Sequence, residues 1–227
     1  MSRQTEAIVL EPAATANAAV IWLHGLGADG HDFEPIVPEL RLPRDHGIRF
    51  IFPHAPVRPI TINGGMMMRG WYDVVGADLT QREDESGIRD SAGILNDYIV
   101  REIGAGIDPG RIVVAGFSQG GAIALFAALR NAEPLAGIMG LSTYLPLPGT
   151  LAREGSSANA RVPIFMAHGA FDPIIPVQHG QRSAVVLSER GHQVQWKTYS
   201  MPHSMCAEEI NDIAVWLRQR LQLNSAM

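Results

Sequence analysis

A serine in a glycine-rich segment is the first candidate for chemistry in this chain. Ser118 lies in the segment GFSQG at residues 116–120, which fits the pattern G-x-S-x-G. An apolar, β-branched run at 112–115 precedes it and a helix-forming run at 122–129 follows it. This is the strand–turn–helix setting in which such a serine is exposed as a nucleophile. The alternative is a glycine-rich turn whose serine only caps the following helix.

A serine hydroxyl needs a base to remove its proton, and four histidines follow Ser118 in the chain: His168, His179, His192 and His203. His203 comes directly after the last predicted strand and before the last predicted helix, which puts it at the same sheet edge as Ser118. His179 falls inside a helical pattern and His192 lies at the opposite end of its strand. We interpret those two as surface histidines and His203 as the base.

Asp172 is the candidate acid that would orient the base and stabilise its protonated form. It follows the predicted strand at 162–166 and therefore lies at the same sheet edge. The alternative is an Asp-Pro pair that only starts a turn. The order Ser118, Asp172, His203 is the chain order of the triad in α/β-hydrolases.

Acyl transfer also needs N–H donors for the oxyanion that develops on the substrate. The backbone N–H of Gln119, the residue after the nucleophile, is one candidate. The second is predicted in the segment LHGLG at 23–27, which follows an early strand. We assign it to the N–H of Leu26, with Gly25 as the nearest competitor. The alternative for this segment is a strand-to-helix turn that uses glycine for its geometry alone.

The elements that must position these residues alternate along the chain. Near-continuous apolar strands are typical of a parallel sheet covered on both faces, and their alternation with helices predicts βαβ units. The predicted strands are 18–23, 48–52, 112–115, 135–139, 162–166 and 194–199, and the predicted helices are 32–40, 86–103, 121–131, 177–189 and 206–221. We predict no regular structure for 53–76 or 145–161. The sequence therefore predicts an α/β fold with a mostly parallel sheet, in a single domain over 1–227.

Composition excludes several classes of protein. The 227 residues are 46% hydrophobic and 18% charged, which excludes a disordered chain, and a net charge of −5 gives no sign of a nucleic-acid partner. A single cysteine, Cys206, excludes an intramolecular disulfide. No apolar run approaches the roughly 20 residues that span a bilayer, and the first residues lack a secretory signal pattern. We expect a cytoplasmic protein without a transmembrane segment.

With these residues assembled, the chain resembles the phospholipase/carboxylesterase family of small serine α/β-hydrolases, which includes acyl-protein thioesterases and bacterial carboxylesterases. The resemblance covers about residues 18–221. It rests on LHGLG (23–27), APVRP (55–59), WYD (71–73), GFSQGG (116–121), His168-Gly169 with Asp172-Pro173, and His203-Ser204 followed by Cys206. It implies the α/β-hydrolase fold, the triad Ser118, Asp172 and His203, and the oxyanion donors Leu26 and Gln119. Where the family usually has Asn before Ala-Pro, this chain has His54.

Four apolar residues are candidates for the acyl-binding surface. Met66, Met67, Met68 and Trp71 lie where members of the family vary in the loop over the active site. Methionine adapts to irregular apolar surfaces and could contact an acyl chain. The alternative is ordinary loop packing. The sequence contains no residues at the spacing of metal ligands, and acyl transfer through serine needs no cofactor. We therefore predict neither a bound metal nor an organic cofactor.

The expected function is that of a serine carboxylesterase acting on carboxylic esters of small to medium acyl chains through an acyl-serine intermediate. The alternatives are an acyl-protein thioesterase and a lysophospholipase, because all three reactions share that intermediate. An alternative of another class is a binding module that keeps the hydrolase fold without catalysis. The expected partners are a small or lipid acyl ester or an acylated protein, and the resemblance implies a homodimer.

Overall fold

A sheet of seven strands forms the centre of the part of the molecule that the structure describes. The computed structural model describes residues 6–76 and 82–223. The strands are β1 (Ala7–Leu10), β2 (Ala18–Leu23), β3 (Ile48–Pro53), β4 (Val57–Ile60), β5 (Met66–Arg69), β6 (Ile112–Phe117), β7 (Gly137–Leu141), β8 (Pro163–Gly169) and β9 (Gln193–Tyr199). The order in the central sheet is β1-β3-β2-β6-β7-β8-β9, and every neighbouring pair is parallel except β1 with β3. The predicted mostly parallel sheet is confirmed.

Helices cover both faces of this sheet. They are α1 (Ile36–Glu39), α2 (Glu85–Gly104), α3 (Gln119–Ala128), α4 (Leu151–Glu154), α5 (Val177–Glu189) and α6 (Ala207–Arg220). On one face, α3 is buried along its whole length because it packs between the sheet and α2. On the other face, Trp216 and Leu217 of α6 pack on the sheet.

The two cores explain why the strands are apolar without alternation. In β2, Ala19, Ile21 and Leu23 belong to the core under α2 and α3. Val20 and Trp22, which alternate with them, belong to the core under α6. Successive side chains of a strand point to opposite faces, so a strand buried on both sides needs an unbroken apolar run.

The prediction of a helix over 32–40 is wrong. The structure has only a 3₁₀ turn at Gly30–Asp32 and the single-turn α1 at Ile36–Glu39. Pro35 and Pro38 account for the difference, because each lacks the backbone N–H that a continuous helix requires.

The absence of regular structure predicted for 53–76 is also wrong. β4 and β5 pair there as an antiparallel hairpin, with Val57 opposite Arg69. Gly64 and Gly65 form its turn at φ values of 66° and 79°, a conformation that glycine adopts readily. Segment 145–161, for which no regular structure was expected either, contains the single-turn α4 and short 3₁₀ turns.

The described residues include no helix that is both long enough and apolar enough to cross a bilayer. The predicted domain 1–227 also includes residues 1–5, 77–81 and 224–227, which lie outside the described residues.

Candidate active site

Ser118 occupies the turn between β6 and α3, as the sequence predicts. Its backbone has φ 55° and ψ −122°, a strained conformation for a residue with a side chain. Three hydrogen bonds hold this turn: the Ser118 N–H donates to Leu141 O at 2.8 Å, and Ser118 O accepts from Thr143 Oγ1 at 2.7 Å and Ala122 N at 3.1 Å. Neighbouring strands and the helix therefore fix the strained conformation.

The two glycines that flank this turn are required by close packing. A Cβ on Gly116 would lie 2.3 Å from backbone atoms of Gly120, and a Cβ on Gly120 would lie 2.4 Å from Leu23 O. Strand β6, helix α3 and the end of β2 approach one another at this point more closely than any side chain allows. The glycines of the G-x-S-x-G pattern thus permit the turn that exposes the serine.

Asp172 and His203 come together at the same edge of the sheet. Nδ1 of His203 lies 2.6 Å from Oδ2 of Asp172. The other oxygen of Asp172, Oδ1, accepts the backbone N–H groups of Ile174 and Ile175, both at 2.9 Å. A carboxylate only accepts, so Nδ1 of His203 carries the proton and Nε2 is left as the basic nitrogen. The ring of His203 packs on that of Phe117, the residue before Ser118, with centroids 4.7 Å apart.

The loop that carries Leu26 is held by a buried histidine. The Nδ1–H of His24 donates to Gly25 O at 2.7 Å, while Nε2 accepts the N–H of Ala55 at 3.0 Å. Burial lowers the pKa of His24 to about 4, so the ring is neutral at neutral pH, as these two bonds require. The N–H of Gly27 also donates to Arg69 O at 2.8 Å, which fixes the far side of the loop.

Gln119 is fixed at the start of α3 by its side chain. Its Oε1 accepts the backbone N–H of Trp71 and its Nε2–H donates to Tyr72 O, both at 2.7 Å. The backbone N–H of Gln119 belongs to the first turn of the helix, where N–H groups have no partner within the helix. It is therefore free to serve a ligand at the helix N-terminus.

Ser118, Leu26 and Gln119 border a common cavity of about 440 Å³. Most of the remaining lining is apolar, and seven of its residues lie in the segments that follow β4, β7 and β8. The full lining is Leu26, Ile62, Asn63, Tyr72, Val74, Ser118, Gln119, Tyr144, Pro173, Ile174, Ile175 and Pro176. An apolar cavity that opens on a candidate nucleophile suits the hydrocarbon part of an acyl group.

The four residues predicted to contact the acyl chain do not border this cavity. Met66 and Met67 are 63% and 61% exposed on the β4–β5 hairpin. Met68 does not line the cavity but contacts Asn63, which does: Nδ2 of Asn63 lies 3.3 Å from the methionine sulfur. Trp71 is fully buried, and its Nε1–H donates to His24 O at 2.9 Å. Trp71 therefore joins the Leu26 loop to the start of α3 and does not form a wall of the cavity.

The apolar lining of the cavity contains none of the residues predicted from the sequence to contact the acyl chain. Ile174 and Ile175 lie two and three residues after Asp172, so their closeness to the candidate acid was an available signal. Ile62 and Val74 come from a segment predicted to be irregular, and nothing in their spacing distinguishes them.

Among the described residues, no three His, Cys, Asp or Glu side chains converge as ligands for a metal ion.

Comparison with known proteins gives related sequences over nearly the whole chain. A model of the phospholipase/carboxylesterase family matches residues 4–221. Acyl-protein thioesterase 1 of Neurospora crassa is 44% identical over 223 residues, which cover 94% of this chain and 91% of that protein. Acyl-protein thioesterase 1 of Gibberella zeae is 42% identical, with 94% and 95% covered.

Solved structures give the same result for the fold. The crystal structure of Arabidopsis thaliana SOBER1 superposes with a TM-score of 0.86 at 31% identity, covering 91% of this chain and all of that one. Acyl-protein thioesterase 2 of Zea mays superposes with a TM-score of 0.81 at 32% identity, covering 96% and 99%.

Proposed function

Because the chain belongs to the phospholipase/carboxylesterase family and is a serine hydrolase acting on ester bonds, we propose that it removes acyl groups from proteins by thioester hydrolysis. The esterase class expected from the sequence is correct. Within it, the relatives favour the thioesterase alternative over the small-ester carboxylesterase, since those at 42–44% identity are acyl-protein thioesterases.

One observation carries the proposal. Ser118, held in a strained turn, borders an apolar cavity of about 440 Å³, and a histidine oriented by Asp172 packs on the residue before it. A candidate nucleophile, a histidine that could serve as its base and an apolar cavity are therefore found in one region, which supports the proposal.

In the proposed reaction, Ser118 Oγ attacks the thioester carbonyl while Nε2 of His203 takes the hydroxyl proton. The C=O π electrons move to oxygen, and the resulting oxyanion accepts the N–H groups of Leu26 and Gln119. Collapse of this intermediate breaks the C–S bond. The leaving sulfur takes the proton from His203, and a thiol is released. Water then attacks the acyl-serine while His203 again takes the proton. The bond between the acyl carbon and Ser118 Oγ breaks, His203 returns the proton to Oγ, and the carboxylic acid is released.

Esters of lysophospholipids and small alcohols are the second candidate substrates. The same acyl-enzyme forms from them, but an alkoxide is a far poorer leaving group than a thiolate, so proton donation by His203 matters more. The cavity accepts the acyl part in either case. The preference therefore depends on what lies beyond the scissile bond.

The nucleophile is tested by labelling with a fluorophosphonate probe and by kcat/KM on a palmitoylated-peptide thioester. Ser118→Ala should abolish labelling and lower turnover by about 10³-fold or more. Ser142→Ala is the matched control, because Ser142 also follows a parallel strand at positive φ, 45°, and its buried Oγ has no partner. Labelling and turnover that persist in Ser118→Ala would refute the assignment of the nucleophile.

The substrate class is tested by comparing that thioester with p-nitrophenyl esters from acetate to palmitate. A higher kcat/KM on the palmitoyl thioester supports a protein deacylase, and a peak at short esters with little thioester turnover supports a small-ester carboxylesterase. The homodimer remains a prediction, which light scattering on the pure protein would test. The cytoplasmic location also remains a prediction, which cell fractionation would test.

A further inference from the structure

His168, in β8, is a fully buried histidine that the proposed mechanism does not use. Its Nε2 lies 2.8 Å from Ile175 O and 3.3 Å from Oδ2 of Asp172. Oδ2 is the same oxygen that receives Nδ1–H of His203. Two imidazole rings thus face one carboxylate oxygen, one from the strand beneath Asp172 and one from the loop before α6.

The contacts of His168 determine which nitrogen carries its proton. Both atoms near Nε2 are oxygens that only accept, so Nε2 must be the N–H. Nδ1 is buried and has no partner. Burial lowers the pKa of His168 and keeps the ring neutral. The ring of His168 therefore directs its single N–H toward Oδ2 of Asp172 and the carbonyl oxygen of Ile175.

The ring of His168 is closely packed against α5 and β9. A Cβ on Gly180 of α5 would lie 2.5 Å from Nδ1 of His168 and 2.9 Å from the ring of Trp196 in β9. The Trp196 ring itself lies with its centroid 6.1 Å from that of His168. The glycine in α5 thus makes room for the imidazole.

We infer that His168 is a positioning residue for the hydrolysis, whose Nε2–H fixes the 172–175 loop and supports the negative charge of Asp172 opposite His203. This inference rests on the proposed function, in which Asp172 orients the base. The same bond to Ile175 O sets the position of a residue that lines the cavity, so the acid and the acyl-binding wall share one anchor.

Three variants separate positioning from simple space filling. His168→Gln can place an amide N–H at the position of Nε2. His168→Asn has a polar side chain too short to reach Ile175 O, and His168→Leu fills the space without a donor. We expect His168→Gln to keep most of the activity. The other two should lower kcat by about 10- to 100-fold with little change in KM, as for the loss of one buried hydrogen bond that leaves Ile175 O without a donor beside the Asp172 carboxylate.

The pH profile gives a readout that loss of packing alone would not move. The titratable groups that bear on His168 are Asp172, His203 and, from α5, His179, while β9 contributes the uncharged Trp196. Without the N–H of His168, Asp172 holds the proton on His203 more strongly. The acid limb of kcat/KM should therefore move to higher pH, by up to about one pH unit, in His168→Asn and His168→Leu but not in His168→Gln.

Thermal unfolding gives the Tm of each His168 variant, and the activity of Ser118→Ala is measured beside them. An unchanged kcat and an unmoved acid limb in folded His168→Asn overturn the inference. Equal losses in all three variants, with lowered Tm and the wild-type pH profile, also overturn it, because they indicate space filling. Full activity in Ser118→Ala would instead refute the proposed function, and the role of His168 with it.

Discussion

The backbone N–H of Trp71 donates to Oε1 of Gln119 at 2.7 Å, across 48 positions of the chain. The same side chain donates from Nε2 to Tyr72 O. One glutamine thus ties the segment after β5 to the first residue of α3, whose backbone N–H is a proposed oxyanion donor. The side chain holds in place the N–H group that the reaction would use.

Replacing this glutamine by alanine should therefore affect both stability and catalysis. Gln119→Ala keeps the backbone N–H but leaves the buried N–H of Trp71 and C=O of Tyr72 without a partner. We expect a loss of about 1–3 kcal/mol in the free energy of unfolding, measured by denaturant titration. We also expect kcat to fall by about 10-fold, because the oxyanion donor loses its support.

Gln178→Ala is the matched control, since Gln178 is an exposed glutamine in the first turn of α5. It should change neither quantity. Wild-type kcat in a destabilised Gln119→Ala would show that the side chain serves folding alone.

Asp172→Asn should lower kcat strongly, although aspartate and asparagine have nearly the same size and shape. Oδ1 accepts two backbone N–H groups, so the amide oxygen of Asn would take that position and turn its NH₂ toward His203. Nδ1 of His203 would then have to accept, and Nε2 would carry the proton and could no longer receive one from Ser118. We expect kcat to fall by about 10³- to 10⁴-fold in steady-state assays, with the fold intact.

Asp212→Asn provides the comparison for this variant. Asp212 accepts from Tyr199 and Lys197 at 2.7 Å each, on the helix that follows the His203 loop. Because it touches none of the reacting groups, its loss should leave kcat unchanged. Similar losses in both variants would point to general disruption of this edge of the sheet.

The sequence predicts the elements around the site well because their signals are local. Strands β2 and β6 are apolar throughout, and β8 is apolar except for His168, since both faces of the sheet are covered. The turn at Ser118 needs glycine at positions 116 and 120, each only two residues from the serine in the chain. Loops that leave parallel strands share one edge, which is why Asp172 and His203 could be paired before any distance was known.

The cavity could not be predicted in the same way because its wall is made of distant segments. Ile62, Tyr144 and Ile174 come from three separate loops, and no periodicity connects them. Met66 and Met67 have the right chemistry for an acyl site, yet the hairpin places them outside the lining of the cavity. Apolar character alone does not decide which of several apolar loop residues faces the cavity.

A pair of exposed residues on either side of Asp172 tests the cavity assignment. Ile174 lines the cavity, whereas Phe171, which is 70% exposed, does not. Ile174→Ser should raise KM for a palmitoyl substrate by about 10-fold, since apolar contact with the chain is lost, and should change acetyl ester hydrolysis little. Phe171→Ser should leave both values near those of the wild type. A larger effect of Phe171→Ser would place the acyl chain outside this cavity.

His24 should make the stability of the protein fall in mild acid. The folded ring has a pKa of about 4 because it is buried, against an ordinary value of 6.5 in the unfolded chain. Between these values the unfolded state holds more protons, so the free energy of unfolding falls as the pH falls from about 6.5 to about 4. The contribution is present above pH 6.5 and amounts to about 3 kcal/mol at most.

Denaturant unfolding of wild type and His24→Gln between pH 4 and pH 7.5 measures this contribution. Glutamine has no titrating group but can accept the N–H of Ala55 through Oε1. The other buried histidines titrate alike in both proteins, so the difference between the two pH slopes isolates His24. We expect the variant to be less sensitive to acid and the two slopes to agree above pH 7. Identical slopes over the whole range would mean that His24 gains its proton without cost, and that the bond from Ala55 does not hold the Leu26 loop.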